Sequence, residues 1–299
     1  MKQWVMLSGK GGTGKTTVAA ALAHLAAQEH RIVLADADVD AANLELLLTP
    51  TVVETHDFTG GKVAVIVPTL CTGCSTCAEV CRFGAIVAHD GAYRVDPAAC
   101  EGCAACFYCC PTGAVTMLDR VSGRWFRSET RLGPLFHARL SAGQENSGKL
   151  VTQVKQSARL LAARSGADLL LVDGPPGIGC PVIAATTGAD LALLVVEPSI
   201  SGVHDFERIL ATARHFGVPA AVCVNKADIN PARATEVEAL CAAEGVPVVG
   251  AIPFDTVVTE AMVHRQAVTE YRPGPVTAAL RALWRELQEW PDGAGGRRL

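Results

Sequence analysis

Residues 3–8, QWVMLS, run straight into GKGGTGKTT, and this junction limits the possible fold more sharply than any other stretch. Gly9, Gly14, Lys15 and Thr16 fit G-x-x-x-x-G-K-[ST], with a short apolar strand before the motif and helix-forming KTTVAAALAHLAAQE after it. Glycines let backbone N–H groups curl around phosphate oxygens. The helix N-terminus adds positive potential, and a lysine reaches the β- and γ-phosphates. The expected phosphate-binding residues are Gly9, Gly11, Gly12, Thr13, Gly14, Lys15, Thr16 and Thr17, with the Thr16 hydroxyl suited to Mg²⁺.

The rest of the pattern agrees with such a loop. RIVLAD, DLLLVDGPPG, DLALLVVEPS, AAVCVNKAD and VPVVGAIP are short, apolar, β-branched runs separated by helix-like segments. They predict an α/β fold: a mostly parallel P-loop NTPase sheet with helices on both faces. A hydrophobic content of 49% in 299 residues supplies the core for one large domain or two.

The alternation breaks between about Thr51 and Leu150, where a small α+β module is expected as an insertion. This divides the chain into a discontinuous nucleotide-binding domain, 1–61 and 120–299, and an inserted domain, 62–119. GRWFRSETRLGPLFHARL reads as two strands joined at Gly-Pro, SAGQENSGK as a polar loop and PDGAGGRRL as a loose tail. Near the end, Val276, Leu280, Leu283, Trp284, Leu287 and Trp290 share one helical stripe. It is expected to dock on the domain; a membrane-surface or partner-binding helix is the alternative.

Acids at strand ends are the candidates for metal and water chemistry. Asp173 closes LLLVD ahead of GPPG, where a carboxylate can hold Mg²⁺ directly or through water. Asp36, Asp38 and Asp40 follow another strand, and Asp38 is the first choice among them. NKAD places Asn225 and Asp228 where a purine edge can be read, which leaves ATP and GTP both open on these residues alone.

GKGGTGKTT, DADVD and DGPPG together resemble the deviant Walker A group of P-loop ATPases, the MinD/ParA superfamily. The resemblance covers roughly 1–50 and 150–262. It implies ATP as the nucleotide and a nucleotide-sandwich homodimer, with Lys10 reaching the partner's phosphates. A cation supplied across the interface would offset charge developing on the γ-phosphate. Lys10, Lys15, Asp38 and Asp173 are thus the expected catalytic set.

Nine of the twelve cysteines lie between Cys71 and Cys110. In a reducing compartment such density points to ligation rather than disulfides. Cys71, Cys74, Cys77 and Cys81 spell C-x2-C-x2-C-x3-C, and Cys100, Cys103, Cys106 and Cys110 repeat it before Pro111. The module resembles a bacterial two-[4Fe–4S] ferredoxin, in which the fourth cysteine of each run serves the other cluster. The resemblance implies Cys71, Cys74, Cys77 and Cys110 for cluster 1, and Cys81, Cys100, Cys103 and Cys106 for cluster 2. The fourth cysteine of each run is expected to begin a short helix. Structural zinc is the competing reading, although zinc sites favour separated cysteine pairs. Arg82 departs from the usual proline, and Cys109 is an alternative to Cys110. Cys180 lies in the general region of the cysteine that bridges subunits in the nitrogenase iron protein. No second suitable cysteine accompanies it outside the module, so a shared cluster is not expected.

A net charge of −4 gives no electrostatic case for nucleic acid or an anionic membrane. With no signal peptide and no span of some 18 apolar residues, a cytoplasmic location is expected. The combination suggests ATP-coupled delivery of low-potential electrons to an unidentified redox partner. The alternatives are a cluster assembly or carrier ATPase, and a MinD/ParA-like positioning ATPase.

Overall fold

The computed structural model describes residues 1–141 and 146–290. Residues 142–145 of the expected SAGQENSGK loop and the whole PDGAGGRRL tail lie outside the described residues, and Ser147–Lys149 of that stretch open a helix instead. In chain order the elements are β1 (Lys2–Ser8), α1 (Lys15–Ala27), β2 (Ile32–Asp36), α2 (Leu44–Leu48), β3 (Thr51–Ile66), α3 (Thr76–Glu79), β4 (Ile86–His89), β5 (Ala92–Val95), α4 (Ala105–Cys109), β6 (Val115–Thr130) and β7 (Gly133–Leu140). There follow α5 (Ser147–Ser165), β8 (Leu169–Pro176), α6 (Cys180–Thr186), β9 (Leu191–Val196), α7 (Ile200–His215), β10 (Ala220–Asn225), α8 (Pro231–Ala243), β11 (Val248–Ile252), α9 (Val257–Val263), α10 (Val268–Tyr271) and α11 (Pro275–Gln288). They form two compact units. The first comprises Met1–His56, Trp125–Arg139 and Ser147–Leu299; the second comprises Asp57–Arg124 and Leu140–Asn146.

The main sheet has the order β11-β10-β9-β1-β8-β2-β7-β6-β3, and part of β3 and of β6 belongs to the second unit. β1 pairs in parallel with β8 and β9, and β2 with β8 and β7. Strands buried on both faces have no polar side to expose, which is why they read as continuous apolar runs. Trp4 and Met6 face a core built with α1 and α11, while Val5 and Leu7, one residue out of step, point to the opposite face. Helices α5 and α6 pack on β8, α7 on β9 and α8 on β10. The sheet is thus mixed but mostly parallel, with nucleotide-loop strand β1 near its centre.

Two local expectations change. The turn between β6 and β7 is Arg131–Leu132, two residues before the expected Gly-Pro, and Gly133–Pro134 opens β7 instead. Thr130 Oγ1 closes this turn by donating to Gly133 O at 2.6 Å. Second, β3 and β6 are each 16 residues long, although only part of each is visible as an apolar run. Most of Thr51–Asp57 is exposed, so its residues need no hydrophobic pattern.

The second unit has a small core that includes Ala64, Ile66, Ile86, Val95, Ala114 and Val115 together with Cys77, Cys100 and Cys106. Its hairpin β4–β5 is antiparallel. The cysteine repeat extends into the backbone. Asp96 N donates to Ala85 O at 2.7 Å in one half, and Val67 N donates to Ala114 O at 2.8 Å in the other. Gly73 and Gly102 hold equivalent left-handed positions, each against a carbonyl, that of Gly91 and of Lys62 respectively. A Cβ at Gly102 would come within 2.2 Å of Lys62 O, so neither the φ nor the space admits another residue. The third cysteine of each run, Cys77 or Cys106, lies in a short helix and the fourth follows it. The fourth therefore does not begin the helix.

Helix α11 docks by its apolar stripe. Val276, Leu280, Leu283, Trp284 and Leu287 are buried, and Trp284 meets Trp4 edge-on at 5.8 Å. Among the described residues no helix is long and apolar enough to cross a membrane. Truncating the fully buried Leu283 to Ala should cost about 2–5 kcal/mol of unfolding free energy by chemical denaturation. A loss within about 0.5 kcal/mol, as for a surface change, would mean the helix is not part of this core.

Candidate functional site

The loop after β1 turns through left-handed Gly12 and Gly14 into α1. Gly14 is required twice over: its φ is +90°, and a Cβ there would meet Asn225 Nδ2 at 2.1 Å. Asn225, at the end of β10, donates Nδ2 to Thr13 O at 2.7 Å and so braces the loop. Lys226 adds a bond to Gly12 O at 3.1 Å.

Behind the loop stands Asp173, which the parallel pairing of β1 with β8 brings alongside Met6. Its two carboxylate oxygens take Lys15 Nζ and Thr16 Oγ1, each at 2.7 Å. Burial alone would weaken the Lys15 ammonium. Asp173, with Asp36 and Asp38 beyond it, outweighs this and holds its pKa above the ordinary value.

The acids after β2 divide by environment. Asp36 is fully buried and accepts the backbone N–H groups of Asp38 and Leu44 at 3.1 and 3.0 Å. Burial, reinforced by Asp173, pushes its pKa up to about 8. Asp38 is half-buried and lines the cleft; burial raises its pKa too, with Lys15 opposing. DADVD therefore supplies one buried acid, Asp36, and two at the cleft wall, Asp38 and Asp40, a division its spelling does not reveal.

The cleft measures about 730 Å³. Gly11, Gly12, Thr13, Gly14, Lys15, Thr16 and Thr17 line one end, with Asp38 and Asp40 beside them. Asn225, Pro253, Phe254 and Met262 belong to its other walls. Gly9 is not in the lining but lies against α7, where a Cβ would strike that of Asp205 at 2.2 Å. Asp228 also stands outside the lining, and its Oδ1 accepts Phe254 N at 2.6 Å. That bond commits the carboxylate to the loop after β11.

Lys10 turns toward the end of β9. Its Nζ donates to Ser199 Oγ at 3.0 Å and Ser201 Oγ at 2.8 Å, with Glu197 at 3.6 Å. Glu197 also meets Lys226 at 3.4 Å. Sequence reasoning passed over Glu197, Ser199 and Ser201; the signal available was a polar EPS directly after the apolar strand DLALLVV.

In the second unit, Cys71, Cys74, Cys77 and Cys110 line one cavity, and Cys81, Cys100, Cys103 and Cys106 line another. Each cavity thus takes three cysteines from one run and the fourth from the other. Cys109 is exposed and lines neither. Among the described residues no three His, Cys, Asp or Glu side chains converge on a point that would hold a single metal ion. Of the remaining cysteines, Cys180 is exposed at the start of α6, while Cys223 and Cys241 are buried. Burial pushes the Cys223 thiol up to about 12, which makes it inert.

The family model for the CobQ/CobB/MinD/ParA nucleotide-binding domain matches residues 4–268. The chain belongs to this family. It is a P-loop ATPase of the MinD/ParA type. An uncharacterized protein of Methanocaldococcus jannaschii is 37% identical over 225 residues, covering 75% of this chain and 78% of that protein. An uncharacterized ATP-binding protein of the same organism is 27% identical and covers 94% and 85%. Among solved structures, the septum site-determining protein MinD of Pyrococcus horikoshii, complexed with Mg-ADP, superposes with a TM-score of 0.57. It is 19% identical, with 96% of each chain covered, a likeness of fold.

The Asp36 proton gives the nucleotide-free protein a pH signature. Between the ordinary carboxylate range and about pH 8 the folded chain holds a proton that the unfolded chain has lost, so stability falls as pH rises through that window. Melting of the ligand-free protein at pH 6 and pH 8 should show the loss, and Asp36→Asn should flatten it. An unchanged slope in the variant would assign the pH dependence elsewhere.

Proposed function

We propose that this ATPase couples its nucleotide state to single-electron transfer through two [4Fe–4S] clusters held in the second unit. The observation that carries the reading is the sorting of eight cysteines into two separate cavities, four to each, with one thiol exchanged between runs. Four soft sulfur donors around a common space suit an iron–sulfur cluster. Cluster 1 would be held by Cys71, Cys74, Cys77 and Cys110, and cluster 2 by Cys81, Cys100, Cys103 and Cys106. A ferredoxin-like fold for residues 62–119 belongs to this proposal. The exposed position of Cys109 favours Cys110 as the ligand. When bound, such clusters supply one-electron chemistry at low potential.

The nucleotide end follows from the cleft. Phosphates would sit on the N–H groups of the Gly11–Thr17 loop, with Lys15 turning from Asp173 toward them. Thr16 Oγ1 and Asp173 already face each other at 2.7 Å, where Mg²⁺ would be held. Asp38, at the cleft wall, would orient the attacking water. The bond from Asp228 to Phe254 N leaves that carboxylate poorly placed to read guanine, which favours ATP. Lys10 would leave Ser199 and Ser201 to reach the γ-phosphate of a second copy, so that hydrolysis requires a homodimer.

Coupling has a covalent route. The loop Asp36–Asp40 leads into α2, whose Glu45 accepts Arg139 of β7 at 2.8 Å. From α2 the chain enters β3, which runs into the second unit and returns as β6. A redox partner protein would receive the electrons. A second reading, a MinD/ParA-like positioning ATPase, is favoured by the match of residues 4–268 to the MinD/ParA family model.

The anaerobically prepared protein should hold about eight iron and eight sulfide. In stopped flow, Mg-ATP should change several-fold the rate at which the dithionite-reduced protein reduces a viologen. Lys10→Ala should abolish the ATP effect and hydrolysis while retaining ATP binding. A full cluster complement with viologen kinetics indifferent to ATP, alongside ATP-dependent sedimentation with lipid vesicles, would favour the positioning reading.

A further inference from the structure

The two cysteine cavities are built on one repeat but differ in what surrounds the sulfurs. In the repeat Thr76 corresponds to Ala105, and Thr112 to Phe83. Thr76 Oγ1 lies 3.5 Å from Cys74 Sγ, and Thr112 Oγ1 lies 3.6 Å from Cys110 Sγ, both hydrogen-bonding distances for sulfur. At the matching places beside Cys103 and Cys81 stand a methyl group and a phenyl ring, both in the cavity wall. Thr72 and Ser75 add hydroxyls to the lining of the first cavity, while Ala64, Ile86, Val95 and Met117 line the second.

Resting on the cluster reading above, we propose that Thr76 and Thr112 make the Cys71/Cys74/Cys77/Cys110 site the higher-potential of the two. This site takes up the first electron, and the Cys81/Cys100/Cys103/Cys106 site takes up the second. A reduced cluster carries one more negative charge, part of it on the thiolate sulfurs. A hydroxyl that donates to those sulfurs therefore stabilises the reduced form more than the oxidised one and raises the potential. Solvent separates the sites at one position, in the same direction: Cys71 is half-buried where its counterpart Cys100 is buried, and greater exposure favours the more negative, reduced form. The other positions match, with Cys74 and Cys103 exposed, Cys77 and Cys106 buried, and Cys110 and Cys81 half-buried. Nearby charge leaves the order in place. Glu101 lines the second cavity and opposes an added electron there. Arg120 favours one, but its Nη1 bonds Cys100 O at 3.1 Å, a backbone carbonyl and not a sulfur. The hydroxyl contacts at Cys74 and Cys110 act directly on the ligand sulfurs, and the repeat offers no hydroxyl at the matching places in the second cavity.

The test is an anaerobic, dithionite-driven redox titration of the full-length reconstituted protein, followed by EPR. Two separate midpoints are expected in the wild type. Thr76→Val and Thr112→Val should each lower the higher midpoint and leave the lower one in place, shifting electron occupancy between the sites roughly five- to tenfold per hydroxyl. Thr112→Ser, which keeps the hydroxyl, should titrate like the wild type, and Ala105→Thr should raise the lower midpoint. The proposal is overturned if the valine variants hold full iron and move neither midpoint, or move the lower one. Iron and sulfide well below the two-cluster content in the wild type would instead overturn the cluster reading beneath it.

Discussion

One buried carboxylate sets the geometry of the nucleotide site. Asp173 takes Lys15 on one oxygen and Thr16 on the other, and it does so because β8 pairs in parallel with β1. That pairing aligns the end of one strand with the start of the phosphate loop. An ammonium and a carboxylate buried together are expensive to separate, since either one left alone would be an uncompensated charge. The pair therefore holds the loop in shape, and under the proposed function phosphate and Mg²⁺ would compete for its members. Asp36, buried behind it without a cation of its own, shows how tightly charge is balanced there.

The same dependence on strand pairing continues outward. β2 lies beside β8, and the acids that follow β2 thereby reach the cleft. The chain then leaves through α2 and β3, so the second unit is reached along the chain from a loop that lines the cleft. This placement gives the proposed coupling its physical basis: whatever orders Asp38 also bears on α2, and α2 leads into β3. The second unit contributes an internal repeat whose two halves exchange a cysteine. Such an exchange ties the halves into one body, because neither cavity is complete without the other run.

The parallel core was legible because strands buried on both faces must be continuous apolar runs, and DLLLVD and DLALLVV are such runs. The phosphate loop was legible because its glycines answer a backbone need that other residues cannot meet. Other features depend on tertiary surroundings and were not. DADVD shows three acids but not which one is buried, so Asp38 stood out where Asp36 carries the larger perturbation. NKAD shows an aspartate but not the Phe254 N–H that occupies it. Exposed strand residues such as those of Thr51–Asp57 need no pattern, so β3 was seen only in part. The placement of Cys77 and Cys106 within α3 and α4 likewise follows from left-handed Ser75 and Ala104 just before them, conformations that neither residue type announces.

The central claim is that nucleotide and cysteine sites act as one device. Its most direct test is a redox-titrated EPR measurement on one anaerobic preparation of the wild-type protein, divided into samples with no nucleotide, Mg-ADP and Mg-ATP. The account predicts that Mg-ATP alone shifts a cluster midpoint or changes its line shape, because under the proposed function only the triphosphate would bring Lys10 across a dimer. Identical titrations in all three samples, with ATP binding verified in the same tubes, would contradict it.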